Sequence, residues 1–203
     1  MINSLSQLLA KHLNKTSVIT ESDMELYAYG FFVLISRILF LIVSVIFGII
    51  FNIIIESILF YFLFCFIRSY AGGIHAPTEL LCTIFTTVSL FLSVLGIKLM
   101  LNYGEQKIAF AIYFVSLLII IILSPLDTKE KPLNINEKKC FKVKTYAVLI
   151  VVIIISIAAV IFSKINIFYA SMMSIVLESI FLLFGKIKMV VNTTIKNCSN
   201  YGI

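Results

Sequence analysis

The residues from Tyr146 to Phe162 read YAVLIVVIIISIAAVIF and include no charged side chain. A helix that crosses a bilayer needs about 20 predominantly apolar residues, and this run with its flanks reaches that length. Because the hydrocarbon core contains no water to bond to exposed backbone groups, such a segment is expected to be helical. The run therefore predicts a transmembrane helix.

Similar runs elsewhere in the chain predict an all-α membrane protein with about six transmembrane helices. The predicted spans are Leu26 to Phe51, Ile53 to Ile67, Cys82 to Leu101, Ile108 to Ser124, Tyr146 to Phe162 and Ile165 to Phe184. The second is short, and its boundary with the first is expected near Asn52. From Ile2 to Leu13, apolar residues recur at helical spacing, which predicts an amphipathic helix lying on the membrane surface.

The composition agrees with a membrane protein and excludes an ordinary water-soluble domain. Hydrophobic residues make up 61% of the chain and charged residues 13%, against roughly 45–50% and about 25% in soluble domains. We expect one domain over residues 1–203, with an interfacial segment at 1–25, transmembrane helices within 26–184 and a basic tail at 185–203.

Basic residues give the chain a net charge of +6 and are concentrated in alternate connections. Twelve of the sixteen lie at Lys11, Lys15, Arg68, Lys129, Lys131, Lys138, Lys139, Lys142, Lys144, Lys186, Lys188 and Lys196, while only Lys98, Lys107 and Lys164 lie at the other connections. Since such residues remain on the cytoplasmic side, both termini, segment 68–81 and loop 125–144 are predicted to be cytoplasmic. Their placement indicates contact with an anionic lipid bilayer and no binding of nucleic acid.

The segment between the second and third predicted spans contains the residues that could take part in a chemical reaction. Residues 68–82 read RSYAGGIHAPTELLC. Gly72 and Gly73 interrupt the helix, and Pro77 is suited to the first turn of the next one, with Glu79 near its positive end. Cys82 is therefore expected in the early turns of the third span.

A histidine and a cysteine close together can perform nucleophilic catalysis. The thiolate of Cys82 would be the nucleophile, and the imidazole of His75 in the preceding loop would take the thiol proton and return it to a leaving amine. Backbone amides of the glycine turn are candidates for an oxyanion hole. The spacing of the two residues is in itself a weak signal, and a structural role in an ordinary loop stays open.

The chain resembles the accessory gene regulator B (AgrB) family of bacterial quorum sensing. The resemblance rests on Arg68, Gly72-Gly73, His75-Ala76 and Cys82, on the six predicted spans, and on Ser124-Pro125-Leu126-Asp127 with its lysine-rich continuation. It implies a cysteine endopeptidase of the bacterial cell membrane, with His75 and Cys82 as the catalytic dyad on the cytoplasmic side. It further implies a homodimer, which the apolar helix faces also favour.

The resemblance also implies the reaction. A short AgrD-like propeptide is cleaved on its C-terminal side and stays on the enzyme as a thioester. An internal Cys or Ser of the peptide then closes a thiolactone or lactone ring. Neither a metal nor another cofactor is expected, because Cys65, Cys82, Cys140 and Cys198 lack the spacing of a zinc site.

Each of the remaining polar residues has more than one candidate role. Arg68 either binds a substrate carboxylate, orients the loop or anchors the end of a span, and Glu79 either orients His75 or stabilises the helix start. Lys129, Lys131 and Asp127 are candidates for docking the propeptide, with lipid contact or shaping of the chain as alternatives.

Three charged residues fall within or near the apolar spans, where charges are costly and usually paired or functional. They are Arg37, Glu56 and Glu178. We predict an ion pair between Arg37 and Glu178. The competing class is a small transporter or peptide exporter without proteolytic activity, in which such charges would form a relay.

Overall fold

The computed structural model describes residues 2–16, 18–73, 78–126 and 134–200, and these residues form helices without any strand. The helices are α1 (Ile2–Lys15), α2 (Met24–Phe51), α3 (Ile54–Ala71), α4 (Glu79–Tyr103), α5 (Gln106–Leu123), α6 (Ile135–Ile161) and α7 (Ile165–Asn200), with a 3-10 turn (Glu21–Asp23) before α2. Within these residues, six helices, α2 to α7, are long and apolar enough to cross a membrane. The predicted all-α fold of a multi-pass membrane protein is confirmed.

Asn52 separates the first two spans, as the sequence predicts. It has φ 56° and ψ 43°, a left-handed conformation, and its N–H is bonded to the carbonyl groups of Gly48 and Ile49 at the end of α2. Asparagine adopts this conformation more readily than most residues with a side chain. The chain therefore reverses within two residues, and α3 begins at Ile54.

Two helices extend beyond the predicted spans. The sixth helix, α6, begins at Ile135, well before Tyr146, because Asn134 and Glu137 form a capping box in which the backbone N–H of Asn134 donates to Glu137 Oε2 at 2.8 Å. Helix α7 continues past Phe184 to Asn200. Lysine is a good helix former, so these lysine-containing stretches prolong the helices after their apolar character ends.

Helix α7 is the central helix of the bundle, and it packs against α3, α4, α5 and α6. In its apolar window 67% of residues are buried, against 11% for α2, which lies at the periphery. Its buried serines allow neighbouring helices to approach closely, and Ser171 Oγ lies 2.8 Å from Ser156 Oγ of α6.

Small residues also bring α2 and α3 into close contact. Ser44 Oγ and Ser57 Oγ lie 2.8 Å apart, and Ser57 Oγ donates to the carbonyl of Ser44 at 2.7 Å. One turn further along α2, a Cβ atom added at Gly48 would lie 2.9 Å from the Cα of Ile54. The hairpin of α2 and α3 therefore depends on the missing side chain of Gly48.

This close approach predicts that Gly48→Ala destabilises the protein. The new methyl group would meet backbone atoms and force the two helices apart, and overpacking of this kind costs about 1–3 kcal/mol. The thermal midpoint of the detergent-solubilised protein measures the effect. Gly30→Ala in the same helix is the control, because no atom lies within 4 Å of its added Cβ. Equal midpoints for the two variants would contradict the packing argument.

Candidate functional site

A cavity of about 600 Å³ lies between α2, α3, α4 and α7, and Cys82 is part of its wall. This volume is within the range of roughly 300–1,000 Å³ that is typical of ligand pockets. The walls are rich in aromatic side chains, namely Tyr29, Phe32, Phe40, Tyr61, Phe64, Phe85 and Phe181. The polar lining residues include Arg37, Cys65, Arg68 and Lys188.

Cys82 lies in the first turn of α4, as the sequence predicts. Thr78 is the N-cap residue: its hydroxyl accepts a hydrogen bond from the N–H of Leu81 at 3.3 Å, and its carbonyl accepts one from the N–H of Cys82 at 3.0 Å. The half-buried thiol is thus near the positive end of the α4 dipole, where negative charge is stabilised.

The described part of α4 begins at Glu79, with Thr78 as its N-cap residue. The predicted roles of Pro77 at the helix start and of His75 fall on residues 74–77, which lie outside the described residues, as does the side chain of Glu79. The contact between His75 and Cys82 stays a prediction.

Arg68 connects the buried part of the bundle to the glycine turn. It lies in the last turn of α3, and its Nη1 is 3.7 Å from Oε2 of Glu178, which is completely buried in α7. The same Nη1 donates to the carbonyl oxygen of Gly72 at 3.4 Å. Its guanidinium carbon lies 4.5 Å from the ring centre of Phe181. Of the roles considered for Arg68, this geometry favours orienting the loop.

The predicted ion pair between Arg37 and Glu178 is therefore wrong. Helix α3 packs against both α2 and α7, so a cation of α3 is better placed to reach Glu178 than one of α2. Arg37 instead donates from Nη2 to Ser69 Oγ at 2.9 Å. Glu56, the third charge within the spans, accepts a hydrogen bond from Nδ2 of Asn166 at 2.9 Å, where α3 and α7 begin.

The two glycines after α3 are required by their surroundings. Gly72 has φ 81° and Gly73 has φ 138°, both in the region that favours glycine. A Cβ atom at Gly72 would lie 2.9 Å from the carbonyl oxygen of Leu126, and one at Gly73 would overlap the guanidinium of Arg68. The turn that leads to residue 75 is thus closely packed on both sides.

The segment after α5 is attached to this turn. The N–H of Leu126 donates to the carbonyl oxygen of Ala71 at 2.9 Å, and Leu126 is buried. The predicted docking residues Asp127, Lys129 and Lys131 follow directly, in residues 127–133, which lie outside the described residues.

Sequence reasoning did not anticipate that Arg37, Tyr61 and Cys65 line the same cavity as Cys82. A signal was present for α3, since Tyr61, Cys65 and Arg68 recur at spacings of four and three and so share one face of a helix. Arg37 gave no comparable signal, because its helix is apolar on every side.

Comparisons with known proteins agree with this architecture. The family model described as "Accessory gene regulator B" matches residues 2–182. A relative from Clostridium perfringens (strain 13 / Type A), "Putative AgrB-like protein 2", is 26% identical over 149 residues, which are 68% of this chain and 67% of that protein. No solved structure matches the chain significantly. The family match over nearly the whole chain shows that this protein belongs to the accessory gene regulator B family, which acts in the processing of autoinducer propeptides.

Proposed function

We propose that the protein is a membrane cysteine endopeptidase that also cyclises its product, with Cys82 as nucleophile and His75 as general acid and base. The observation that carries the proposal is the position of Cys82, in the first turn of α4 and on the wall of a cavity of about 600 Å³. A nucleophile needs access to a substrate and stabilisation of its anion, and this position supplies both.

In the first half of the reaction, His75 accepts the thiol proton of Cys82 and the sulfur attacks the carbonyl carbon of the scissile peptide bond. The tetrahedral intermediate collapses as the C–N bond breaks, and His75 transfers its proton to the leaving amine. The C-terminal part of the AgrD-like propeptide departs. The N-terminal part stays bound to Cys82 as a thioester.

In the second half, the thiol or hydroxyl of an internal Cys or Ser of the peptide attacks the thioester carbonyl. His75 takes the proton of the attacking group, the bond to Cys82 breaks, and the returned proton regenerates the thiol. The product is a thiolactone or a lactone. The aromatic walls of the cavity favour this outcome, because limiting water around the thioester suppresses hydrolysis.

The charge distribution supports a cytoplasmic location for this chemistry. With six consecutive spans, the starts of α4 and α6 and the ends of α3 and α7 lie on one side of the membrane. Lys144 Nζ, near the start of α6, is 5.8 Å from the ring centre of Tyr70, near the end of α3. Basic residues concentrate on the cytoplasmic side, so the side that carries Cys82 is proposed to be cytoplasmic. Both termini would then be cytoplasmic as well.

The same proposal gives roles to the residues around the turn. Arg68 holds the turn from which the chain continues to His75, while Lys129, Lys131 and Asp127 dock the propeptide. The hydrogen bond from Leu126 to Ala71 supports this, since it starts the docking segment beside the turn. The enzyme is proposed to act as a homodimer.

Replacing the nucleophile tests the proposal directly. Cys82→Ala should reduce cleavage of a cognate propeptide at least about a thousandfold, because the proposed acyl-enzyme forms on the thiol that this change removes. Cleavage is followed by mass spectrometry with the protein in membrane vesicles. Cys140→Ala is the control, since Cys140 is an exposed thiol of α6 that does not line the cavity. Normal processing by Cys82→Ala would overturn the assignment.

The ion pair between Arg68 and Glu178 gives a second test, of whether Arg68 positions the Gly72-Gly73 turn. Glu178→Gln removes the carboxylate that lies 3.7 Å from Arg68, and loss of one partner of a buried pair costs on the order of 3 kcal/mol. We expect a lower thermal midpoint and slower propeptide cleavage, with kcat falling more than KM changes. The double variant Arg68→Glu with Glu178→Arg should regain stability but not kcat, because the residue at 68 can no longer donate to Gly72. Full recovery of kcat in the double variant would show that Arg68 does not position the turn.

A further inference from the structure

Arg37 is a cation on the cavity wall without an acidic partner among the described residues. No carboxylate of the described residues pairs with it, and its side chain donates one hydrogen bond, to Ser69 Oγ. A guanidinium carries five N–H donors, so this bond leaves most of its capacity unused. A charged side chain within a membrane-spanning helix is costly unless it is paired. A cation in such a helix, with no carboxylate of the described residues beside it, is therefore a candidate for binding an anionic ligand.

Hydrogen bonds fix both the guanidinium and the backbone of Arg37. Ser69 Oγ, its acceptor, itself donates to the carbonyl of Cys65 at 2.7 Å, and Tyr61 Oη donates to the carbonyl of Arg37 at 2.7 Å. Both α2 and α3 are thus fixed to each other at this point. A cation held in this way loses little conformational freedom when it binds an anion.

The charged side chains that line the cavity, among the described residues, are all cationic. Arg37, Arg68 and Lys188 line it, and no carboxylate of the described residues does. Glu178 offsets the charge of Arg68 from within α7. The remaining walls are mostly apolar, and an apolar environment strengthens the attraction between a fixed cation and an incoming anion.

We propose that this cavity binds a peptide segment that carries both apolar side chains and a carboxylate, with Arg37 binding the carboxylate. The aromatic walls receive the apolar side chains, and the segment lies next to Cys82. The planar fork of arginine matches the two oxygens of a carboxylate. The inference rests on the proposed peptidase function, because Cys82 in the same wall favours a peptide over a lipid as the occupant.

Protection of Cys82 from alkylation tests this binding without any turnover. The protein is placed in bilayer discs of phosphatidylcholine and treated with a maleimide, and modification of Cys82 is followed by mass spectrometry of its proteolytic fragment. The probes are the matched peptides N-acetyl-Phe-Leu-Glu-amide and N-acetyl-Phe-Leu-Gln-amide. We expect the Glu peptide to protect at about a tenfold lower concentration, as a charge-assisted hydrogen bond would give.

Variants assign this preference to Arg37. Each rate is normalised to that of the same variant without peptide. Arg37→Gln should remove the difference between the two peptides, and Arg37→Lys, which keeps the charge but not the fork, should retain part of it. Lys98→Gln is the control, because it removes one positive charge near the other end of α4 without touching the cavity lining. It should keep the full preference.

Three results would overturn the inference. The first is equal protection by the two peptides in the unaltered protein, and the second is an undiminished preference in both Arg37 variants. The third is protection of Cys82 by phosphatidylglycerol in the discs, dependent on Arg37, with no discrimination between the peptides, which would make an anionic lipid the occupant.

The test also separates this inference from the peptidase proposal. Discrimination between the peptides without propeptide cleavage would support the binding site and refute the catalytic assignment. Cleavage that depends on Cys82, without any discrimination, would refute the binding site alone.

Discussion

A carboxylate that is completely enclosed by helices needs a cation beside it, and for Glu178 of α7 that cation is Arg68 of α3. The pair fixes the end of α3 against the central helix of the bundle. Because the same guanidinium reaches Gly72 and lies over Phe181, it also determines the position of the turn and one wall of the cavity. Burial of the Glu178 carboxylate costs desolvation energy. The arginine that compensates for this cost also contacts the carbonyl of Gly72 and the ring of Phe181.

The packing of the bundle explains why the cavity lies where it does. Helix α7 is surrounded by neighbours, and its serines allow close contact with them. Helix α2 is peripheral and is held to α3 through Gly48, Ser44 and Ser57 near its C-terminal end. Closer to the site, large side chains of α2 and α4, among them Phe32, Phe40 and Phe85, line the cavity. The cavity therefore lies away from the close contact between α2 and α3.

Much of this fold could be predicted from the sequence, because apolar length and the position of polar residues such as Asn52 are local properties. The sequence does not predict the early start of α6 or the late end of α7. The length of an apolar run indicates only the part of a helix that lies within the membrane, and a helix can extend beyond it. The preceding glycines predict Cys82 in the early turns of α4, and the structure confirms this position, with Thr78 as the N-cap residue.

Contacts between helices could not be predicted in the same way. The partner of Glu178 depends on which helix packs beside α7, and one apolar helix resembles another in sequence. For this reason the sequence led to Arg37, and not Arg68, as the predicted partner of Glu178. For the same reason the sequence does not predict that Cys65 and Cys82 line one cavity, which they do because α3 and α4 both border it.

The close approach between Gly72 and Leu126 also limits which amino-acid substitutions this part of the chain can accept. The atom that a side chain at position 72 would meet is the backbone oxygen of Leu126. Every amino acid has that oxygen, so a substitution at position 126 does not make room for a larger residue at position 72. The packing therefore allows other buried residue types at position 126, while a side chain at position 72 requires a different path for the chain after α5.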